Sequence, residues 1–451
     1  MRVAVCAAGI VVLVQAGTAQ GFHAYAWSPV PEDCAHLTHT IWFRADSDPA
    51  EVAADSLTRP EGRRAVFSWD MHRDLLRHPE DVCIAADGQP TTFQGVWPEK
   101  GIEATRARFA DFFRRFADAG GDADWLILDF EDSFSNWSLG GMDKKDHWLA
   151  IQQDSRFADL SKVLGFEDLT LVADFAGKRN YLKWNAAMGG VVDDALNRAV
   201  FGPARAVFPD LRCSNYESYG MREEDAVPDL NGHRQWREGE IVGTCQAPSF
   251  YTWINQLSNV QLDGEKPFGQ SPFAGVLLSV DGARAMRRAS PLPLQPWIAW
   301  RRYKGDGPGL PPVTVAETPY YDELVRHLAL TGATEFLFWN PHPWTASQKP
   351  EDFSLPEDER HLDALLAELD ERVGTEPRKT VTVEPIPWDA RVIASGCRTA
   401  GKLLWRFTLD AGVAEVTVDV GGERRTLAPE AGEVGVWFSH PAGEKLVVVA
   451  P

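Results

Sequence analysis

Asp129 and Glu131 stand two residues apart at the end of the apolar run Trp125-Leu126-Ile127-Leu128, in the string WLILDFED. Along a β-strand, positions i and i+2 project to one face, so such a strand presents both carboxylates side by side at its C-terminal edge. Close approach and partial burial hold one carboxyl protonated near neutral pH while its neighbour stays ionised. That division of roles suits acid-assisted cleavage of a glycosidic bond. An acidic strand end can also cap the following helix or pair with arginine, which needs no substrate. The apolar lead-in and the abundance of tryptophan favour chemistry.

Two mechanisms fit the pair. In one, Glu131 protonates the leaving oxygen, the substrate's own 2-acetamido carbonyl attacks the anomeric carbon, and Asp129 orients and stabilises the charged acetamido group. In the other, Glu131 is the acid and a carboxylate of another strand, Glu217 or Asp281, acts across the sugar as nucleophile or base. Other strand ends supply the groups that would line such a site. These are Trp27 with Tyr25, Trp69 before Asp70, the run Ser214-Asn215-Tyr216-Glu217, Asp281, Tyr303 after Arg301 and Arg302, and Trp339-Asn340. Asn215, Tyr216, Glu217, Tyr303, Trp339, Asn340, Trp27, Trp69 and Asp281 are therefore the candidate substrate-binding residues. Each has a plainer role available, in turn chemistry for the amides and core packing for the rings. His147 and His342 lack the spacing of metal ligands, and neither a metal nor a cofactor is expected.

These side chains need a scaffold that brings strand ends to one rim. Apolar runs at 22–27, 65–69, 125–131, 211–216, 274–280, 296–303 and 335–339 read as strands, with room for a helix in each gap. Residues 101–119, 184–208, 320–330 and 357–373 read as helices. The pattern predicts an α/β fold, a TIM-like parallel (β/α) barrel of seven or eight strands over residues 20–377. An open nucleotide-binding sheet is disfavoured, since no glycine-rich phosphate loop follows a strand. From about residue 378 to 451 short alternating runs between Gly and Pro turns predict a small β-sandwich-like domain after the linker Gly374-Thr375-Glu376-Pro377. Its expected role is to pack against the barrel rather than to bind sugar.

Composition narrows the partners. The chain has 451 residues and a formal net charge of −20, with 65 acidic against 45 basic residues. A surface of that sign repels phosphate backbones, so nucleic acid is excluded as an expected partner and carbohydrate is favoured. Seventeen tryptophans supply flat rings of the kind that stack on sugars. Residues 1–19 carry one Arg, then the apolar stretch 3–14, then Gly17-Thr18-Ala19, which reads as a signal peptide and predicts a secreted or periplasmic protein. The apolar stretch is shorter than the roughly 20 residues of a membrane span, so no span is expected in the mature chain. Cys34, Cys83, Cys213, Cys245 and Cys397 remain after the leader, an odd number that allows one or two disulfides and leaves at least one thiol unpaired.

The motif Leu128-Asp129-Phe130-Glu131 resembles the D-W-E of the hyaluronidase family of glycoside hydrolases and, more loosely, the D-x-E of chitinase-like barrels. Two further segments are similar to that family: the approach through Phe208-Pro209 to Asn215-Tyr216, and the closing Gly332-Ala333 to Phe338-Trp339. The resemblance covers roughly residues 22–373. It implies a seven-stranded barrel, Glu131 as proton donor, Asp129 as acetamido-orienting partner, and Tyr216 and Trp339 lining the acetamido pocket. The sequence departs from the family after the glutamate, where Asp132-Ser133-Phe134-Ser135-Asn136-Trp137 replaces a W-R-P type segment. With the acidic net charge, this points to a polysaccharide other than hyaluronan. The expected function is a glycosidase, with a non-catalytic carbohydrate-binding barrel as the competing class.

Overall fold

The computed structural model describes residues 21–130, 145–159, 191–192, 194–216, 244–250, 272–289, 292–299, 318–343, 354–374, 379–382, 384–387, 389–399 and 401–450. Glu131, Glu217, Tyr303, Arg301, Arg302, the leader and most of the linker lie outside these residues. The chain opens with β1 (His23–Ala26), β2 (Leu37–His39), β3 (Ile41–Phe43), α1 (Pro49–Ser56), β4 (Ala65–Ser68) and the hairpin β5 (Val82–Ile84) to β6 (Pro90–Gln94). Next come α2 (Glu99–Asp118), β7 (Trp125–Leu128), α3 (Lys145–Gln153), a π-helical turn Asn197–Phe201 running into α4 (Gly202–Val207), and β8 (Arg212–Asn215). Then follow α5 (Pro272–Ala289), β9 (Trp297–Ile298), α6 (Thr318–Leu330), β10 (Glu335–Phe338) and α7 (Pro356–Val373).

Two parallel sheets carry the chemistry-bearing strands, in the orders β2-β1-β10-β9 and β3-β4-β7-β8. Only Thr40 separates β2 from β3, and both its N–H (3.0 Å) and its hydroxyl (3.1 Å) donate to the Ala26 carbonyl, so one short stretch of chain passes from sheet to sheet. At the opposite edges lies the segment 244–250. Thr244 N–H donates to the Cys213 carbonyl at 2.8 Å, while Gln246 and Ser249 pair in parallel with Leu294 and Trp297. Strands β1, β4 and β7 are buried along their whole length, as expected when helices cover one face and packed side chains the other. Outward residues such as Val66, Leu126 and Leu128 join the helix-facing core with Ile102, Phe109, Phe112, Phe113 and Phe116 of α2. Inward residues Tyr25, Phe67, Trp125, Ile127, Trp297 and Leu337 form a separate cluster.

Helix α2 begins where the Asp81 carboxylate accepts the N–H groups of Lys100 (2.9 Å) and Gly101 (2.7 Å), satisfying two orphan donors of its first turn. A side chain at Gly101 would press on the Leu75 carbonyl, so close packing requires glycine there.

The structure corrects the sequence reading in one element. Residues 274–280 belong to α5 rather than to a strand, which removes Asp281 from any strand end. β2 and β3, two three-residue strands, were not anticipated. The five cysteines at 34, 83, 213, 245 and 397 are all buried, and no disulfide joins any two of them. Burial pushes the Cys83 thiol up to about 12 and those of Cys34 and Cys213 to about 11. Among the described residues no helix is long and apolar enough to cross a membrane.

The C-terminal region is all β: β11 (Lys379–Thr380), β12 (Val392–Thr399), β13 (Lys402–Leu409), β14 (Val416–Val420), β15 (Glu423–Leu427), β16 (Gly435–Pro441) and β17 (Leu446–Ala450). Its sheets, β11-β12-β13-β16 and β15-β14-β17, share a core of Phe407, Leu409, Val416, Val418 and Val420. Polar bonds hold it to α5, α6 and α7. Glu323, fully buried, receives Arg406 Nε at 2.7 Å, Thr408 Oγ1 at 2.6 Å and Arg326 at 2.8 Å. Burial pushes the Glu323 carboxyl up, but the Arg406 hydrogen bond and the charges of Arg406 and Arg326 outweigh it and leave it below the usual carboxylate range. Asp281 accepts the Ile386 N–H at 2.7 Å, and Trp437 Nε1 donates to Glu368 at 2.9 Å.

Candidate active site

Strand register decides which side chains meet. Ser68 pairs with Leu128, so the next residues, Trp69 and Asp129, are neighbours across β4 and β7. Leu128 pairs with Asn215, so Asp129 and Tyr216 are neighbours on the other side, where Tyr216 N–H donates to the Leu128 carbonyl at 2.8 Å. In the second sheet Ala26 pairs with Phe338, so Trp27 and Trp339 follow as neighbours, with Trp27 N–H donating to the Phe338 carbonyl at 2.9 Å. Each of these lies two residues beyond an inward residue, respectively Phe67, Ile127, Ser214, Tyr25 and Leu337. Trp27, Trp69, Asp129, Tyr216 and Trp339 therefore continue the inner face at the C-terminal edge of the parallel strands. Trp27 and Tyr216 are each 6% exposed, whereas Trp69 and Trp339 are only half-buried.

The other end of the same interior is occupied by a polar cluster. Glu335 accepts from Tyr25 Oη (3.0 Å), Trp125 Nε1 (3.2 Å) and Arg212 (2.7 Å), and the Arg212 guanidinium lies 4.2 Å above the Trp125 ring. Burial and the adjacent Glu335 carboxylate raise the Tyr25 phenol well above its ordinary range, so it remains a neutral donor.

Two side chains hold the acidic strand end from behind. Asn215 Oδ1 accepts the Phe130 N–H at 3.0 Å, and its Nδ2 donates to the Tyr216 carbonyl at 3.0 Å. Asn215 thus joins the tips of β7 and β8 through the backbone on either side of the site layer. The buried His72 imidazole bonds the Asp129 backbone and packs edge-on against Phe130, with ring centroids 5.1 Å apart. Burial holds this imidazole down at about 4, against the pull of the Asp129 backbone bond and of Asp70. It is a neutral ring near pH 7.

Of the residues expected to bind substrate, Trp27, Trp69, Tyr216 and Trp339 share the layer of Asp129. Asn215 touches that layer through backbone groups. Asn340 is fully buried elsewhere: its Oδ1 accepts the Ser28 N–H at 2.8 Å and its Nδ2 donates to Glu359 at 2.7 Å, an oxygen that also meets His342 at 3.0 Å. That network fastens the ends of β1 and β10 to α7, so Asn340 is scaffold. Asp281, 3% exposed in α5 and bonded to the Ile386 N–H, belongs to the contact with the C-terminal region and not to the strand rim. Two residues of the site went unnoticed in the sequence. Trp42 is the centre of the apolar triplet Ile41-Trp42-Phe43, and His72 lies three residues beyond Trp69.

No family model matches the chain, and no curated protein matches it. Similar solved structures include the polyextremophilic β-galactosidase of the Antarctic haloarchaeon Halorubrum lacusprofundi, 13% identical with a TM-score of 0.41 over 74% of this chain and 58% of that one. The β-galactosidase of Rahnella sp. R3 is 10% identical with a TM-score of 0.40 over 69% and 46% of the two chains. A GH30 endoxylanase of Clostridium papyrosolvens C71 is 11% identical with a TM-score of 0.30 over 94% of each chain. The chain spans about half the length of the two β-galactosidases. These three are glycoside hydrolases and none is a hyaluronidase.

Proposed function

We propose that the protein is an exported glycoside hydrolase in which Glu131 is the general acid and Asp129 its assistant. The observation that carries this reading is the position of Asp129, between Trp69 and Tyr216 at the C-terminal edge of parallel strands, in a layer otherwise made of tryptophan rings. A carboxylate flanked by flat apolar rings is suited to a sugar ring, whose hydroxyls need acceptors and whose C–H faces need apolar contact. Asp281 is withdrawn from the two-carboxylate alternative by its place in α5. Substrate-assisted hydrolysis of an N-acetylhexosamine linkage is the mechanism we favour, since a pair on one strand needs no opposed carboxylate. Glu131 would protonate the leaving oxygen, the acetamido oxygen would form a bond to the anomeric carbon as the glycosidic bond breaks, and Asp129 would stabilise the positive charge on the acetamido nitrogen. Water then opens that ring with Glu131 taking the proton, and the anomeric configuration is retained.

The hydrogen bonds of residues 244–250 to Cys213 on one side and to the strand of Trp297 on the other support a further reading. The two sheets are then one (β/α) barrel of β1, β2 with β3, β4, β7, β8, the 244–250 segment, β9 and β10. The test of function is Glu131→Gln assayed for cleavage and binding on a glycan panel. Lost cleavage with retained binding supports the enzyme, and retained cleavage refutes the role of Glu131. Binding without cleavage by the unmodified chain would favour a non-catalytic carbohydrate-binding barrel.

A further inference from the structure

We infer that His72 and Asn215 are positioning residues, which grip the peptide group between Asp129 and Phe130 from both sides and so fix where the Asp129 carboxylate stands in the site. The inference rests on the glycosidase reading above and deepens it, since it assigns residues that act through Asp129 rather than on the sugar. It starts from the point where the backbone ladder between β7 and β8 stops. The Leu128 carbonyl accepts the Tyr216 N–H at 2.8 Å, and a parallel ladder carried one step further would join the Phe130 N–H directly to the Tyr216 carbonyl. The Asn215 amide stands between those two groups instead. Its Oδ1 accepts the Phe130 N–H and its Nδ2 donates to the Tyr216 carbonyl, both at 3.0 Å. One side-chain amide therefore replaces one backbone bond, and β7 and β8 part at the tips that carry Asp129 and Tyr216.

The other end of the same peptide group is held from the side of β4. Successive carbonyls of a strand point to opposite neighbours, so with the Leu128 carbonyl turned to β8 the Asp129 carbonyl turns to β4. The turn after β4 carries His72, whose ring bonds the Asp129 backbone in the sense that favours a protonated ring, as donation to a carbonyl does. Nδ1 of His72 is buried without a partner, so Nε2 is the nitrogen that donates. His72 and Phe130 are both buried and pack edge-on, which keeps water from standing in for the ring. A peptide group held at both polar atoms cannot rotate without leaving a buried donor or acceptor unpaired. Its orientation sets the backbone angle at Asp129, and hence the direction in which the carboxylate leaves the strand.

The test is steady-state kinetics of the full chain on chitotetraose, cellotetraose and xylotetraose, with Asn215→Ala, His72→Leu and His72→Gln compared on the sugar that the unmodified chain cleaves. Glutamine keeps a donor near the place of Nε2, whereas leucine fills the space without one. In Asn215→Ala and His72→Leu kcat should fall about ten- to hundredfold with KM changed by less than about twofold, and His72→Gln should recover kcat to within about threefold of the unmodified chain. An unchanged kcat, or a rise in KM alone, in either variant overturns the role of that residue and leaves the role of Glu131 standing. Equal losses in His72→Gln and His72→Leu reduce His72 to packing and overturn its part. Circular dichroism checks folding, and where His72→Leu does not fold, Asn215→Ala decides. No cleavage of any of the three sugars by the unmodified chain overturns the glycosidase reading and the positioning role with it.

Discussion

Replacing Glu323 by Gln should cost the protein about 3–5 kcal/mol of stability, because it keeps the shape of the side chain and removes the buried charge that neutralises Arg406, whose other carboxylate partner, Glu433 at 3.4 Å, is half-exposed. Arg406 is 4% exposed and Glu323 fully buried, so water does not take over the lost role. Thr408 Oγ1 and Arg326 lose a charged acceptor as well, although Arg326 keeps Glu368 at 2.6 Å. The pair joins α6 to β13, so the loss falls on the contact between the parallel sheets and the C-terminal strands. Urea unfolding followed by tryptophan fluorescence, compared among the parent chain, Glu323→Gln, Arg406→Met and the double variant Glu323→Met with Arg406→Met, measures it. The double variant should recover much of the loss, because no charge is then left unpaired. A loss below about 1 kcal/mol in Glu323→Gln, or a double variant no better than the sum of its parts, would refute the argument.

Acid should destabilise the chain well above the carboxylate range. Burial holds His72 and His39 at about 4 and His327 at about 3, against an ordinary 6.5 and, for His72 and His327, against the pull of nearby carboxylates. As pH falls below about 6.5 the unfolded chain takes up protons that the folded chain refuses, so stability present above that pH is lost down to about 4. The loss is on the order of 3 kcal/mol for His72, and His72→Gln should reduce the slope of stability against pH by about one proton in that window. A parent curve flat from pH 7 to 4.5 would contradict this. Asn215→Ala leaves the Phe130 N–H without its acceptor and should cost about 1–3 kcal/mol in unfolding free energy. If Asn215 positions the acidic strand end, kcat should fall with little change in KM. A rise in KM alone would return it to direct substrate binding.

How much of this was legible in the sequence depended on period and length. β1, β4, β7 and β10 are apolar-rich runs with flanking contrast, and β8, Arg212-Cys213-Ser214-Asn215 between Leu211 and Tyr216, is the weakest of the set; reading all five as strands is enough to put Trp27, Trp69, Asp129, Tyr216 and Trp339 at strand ends. The pleat did the rest, since two-residue spacing from a buried residue fixes the face. β2 and β3 were missed because three residues on either side of Thr40 carry too few periods to count, and with them went Trp42. The opposite error befell α5. The stretch Ala274-Gly275-Val276-Leu277-Leu278-Ser279-Val280 is buried or partly buried throughout and Ser279 is its one polar residue, so it shows no polar stripe, and a short apolar run then looks like a strand. The same burial explains Asp281, a carboxylate kept in the core by a backbone N–H that only the folded C-terminal region supplies.

Asn215 and Asn340 show where residue type stops being informative. Both stand at strand ends and both read as sugar ligands, yet each spends its amide inside the protein: on the Phe130 and Tyr216 backbone for one, on the Ser28 backbone and the Glu359 carboxylate for the other. Strand ends in parallel sheets leave backbone donors and acceptors unpaired, and a short amide is the side chain that satisfies one of each. An asparagine at such a position is therefore weak evidence for a ligand. A tryptophan there reads differently, since it offers one donor and no acceptor and so does less to close a strand end than an amide does. Asp129 keeps its place in the candidate site through its cross-strand neighbours Trp69 and Tyr216, and Asn215 serves by holding the strand that carries it.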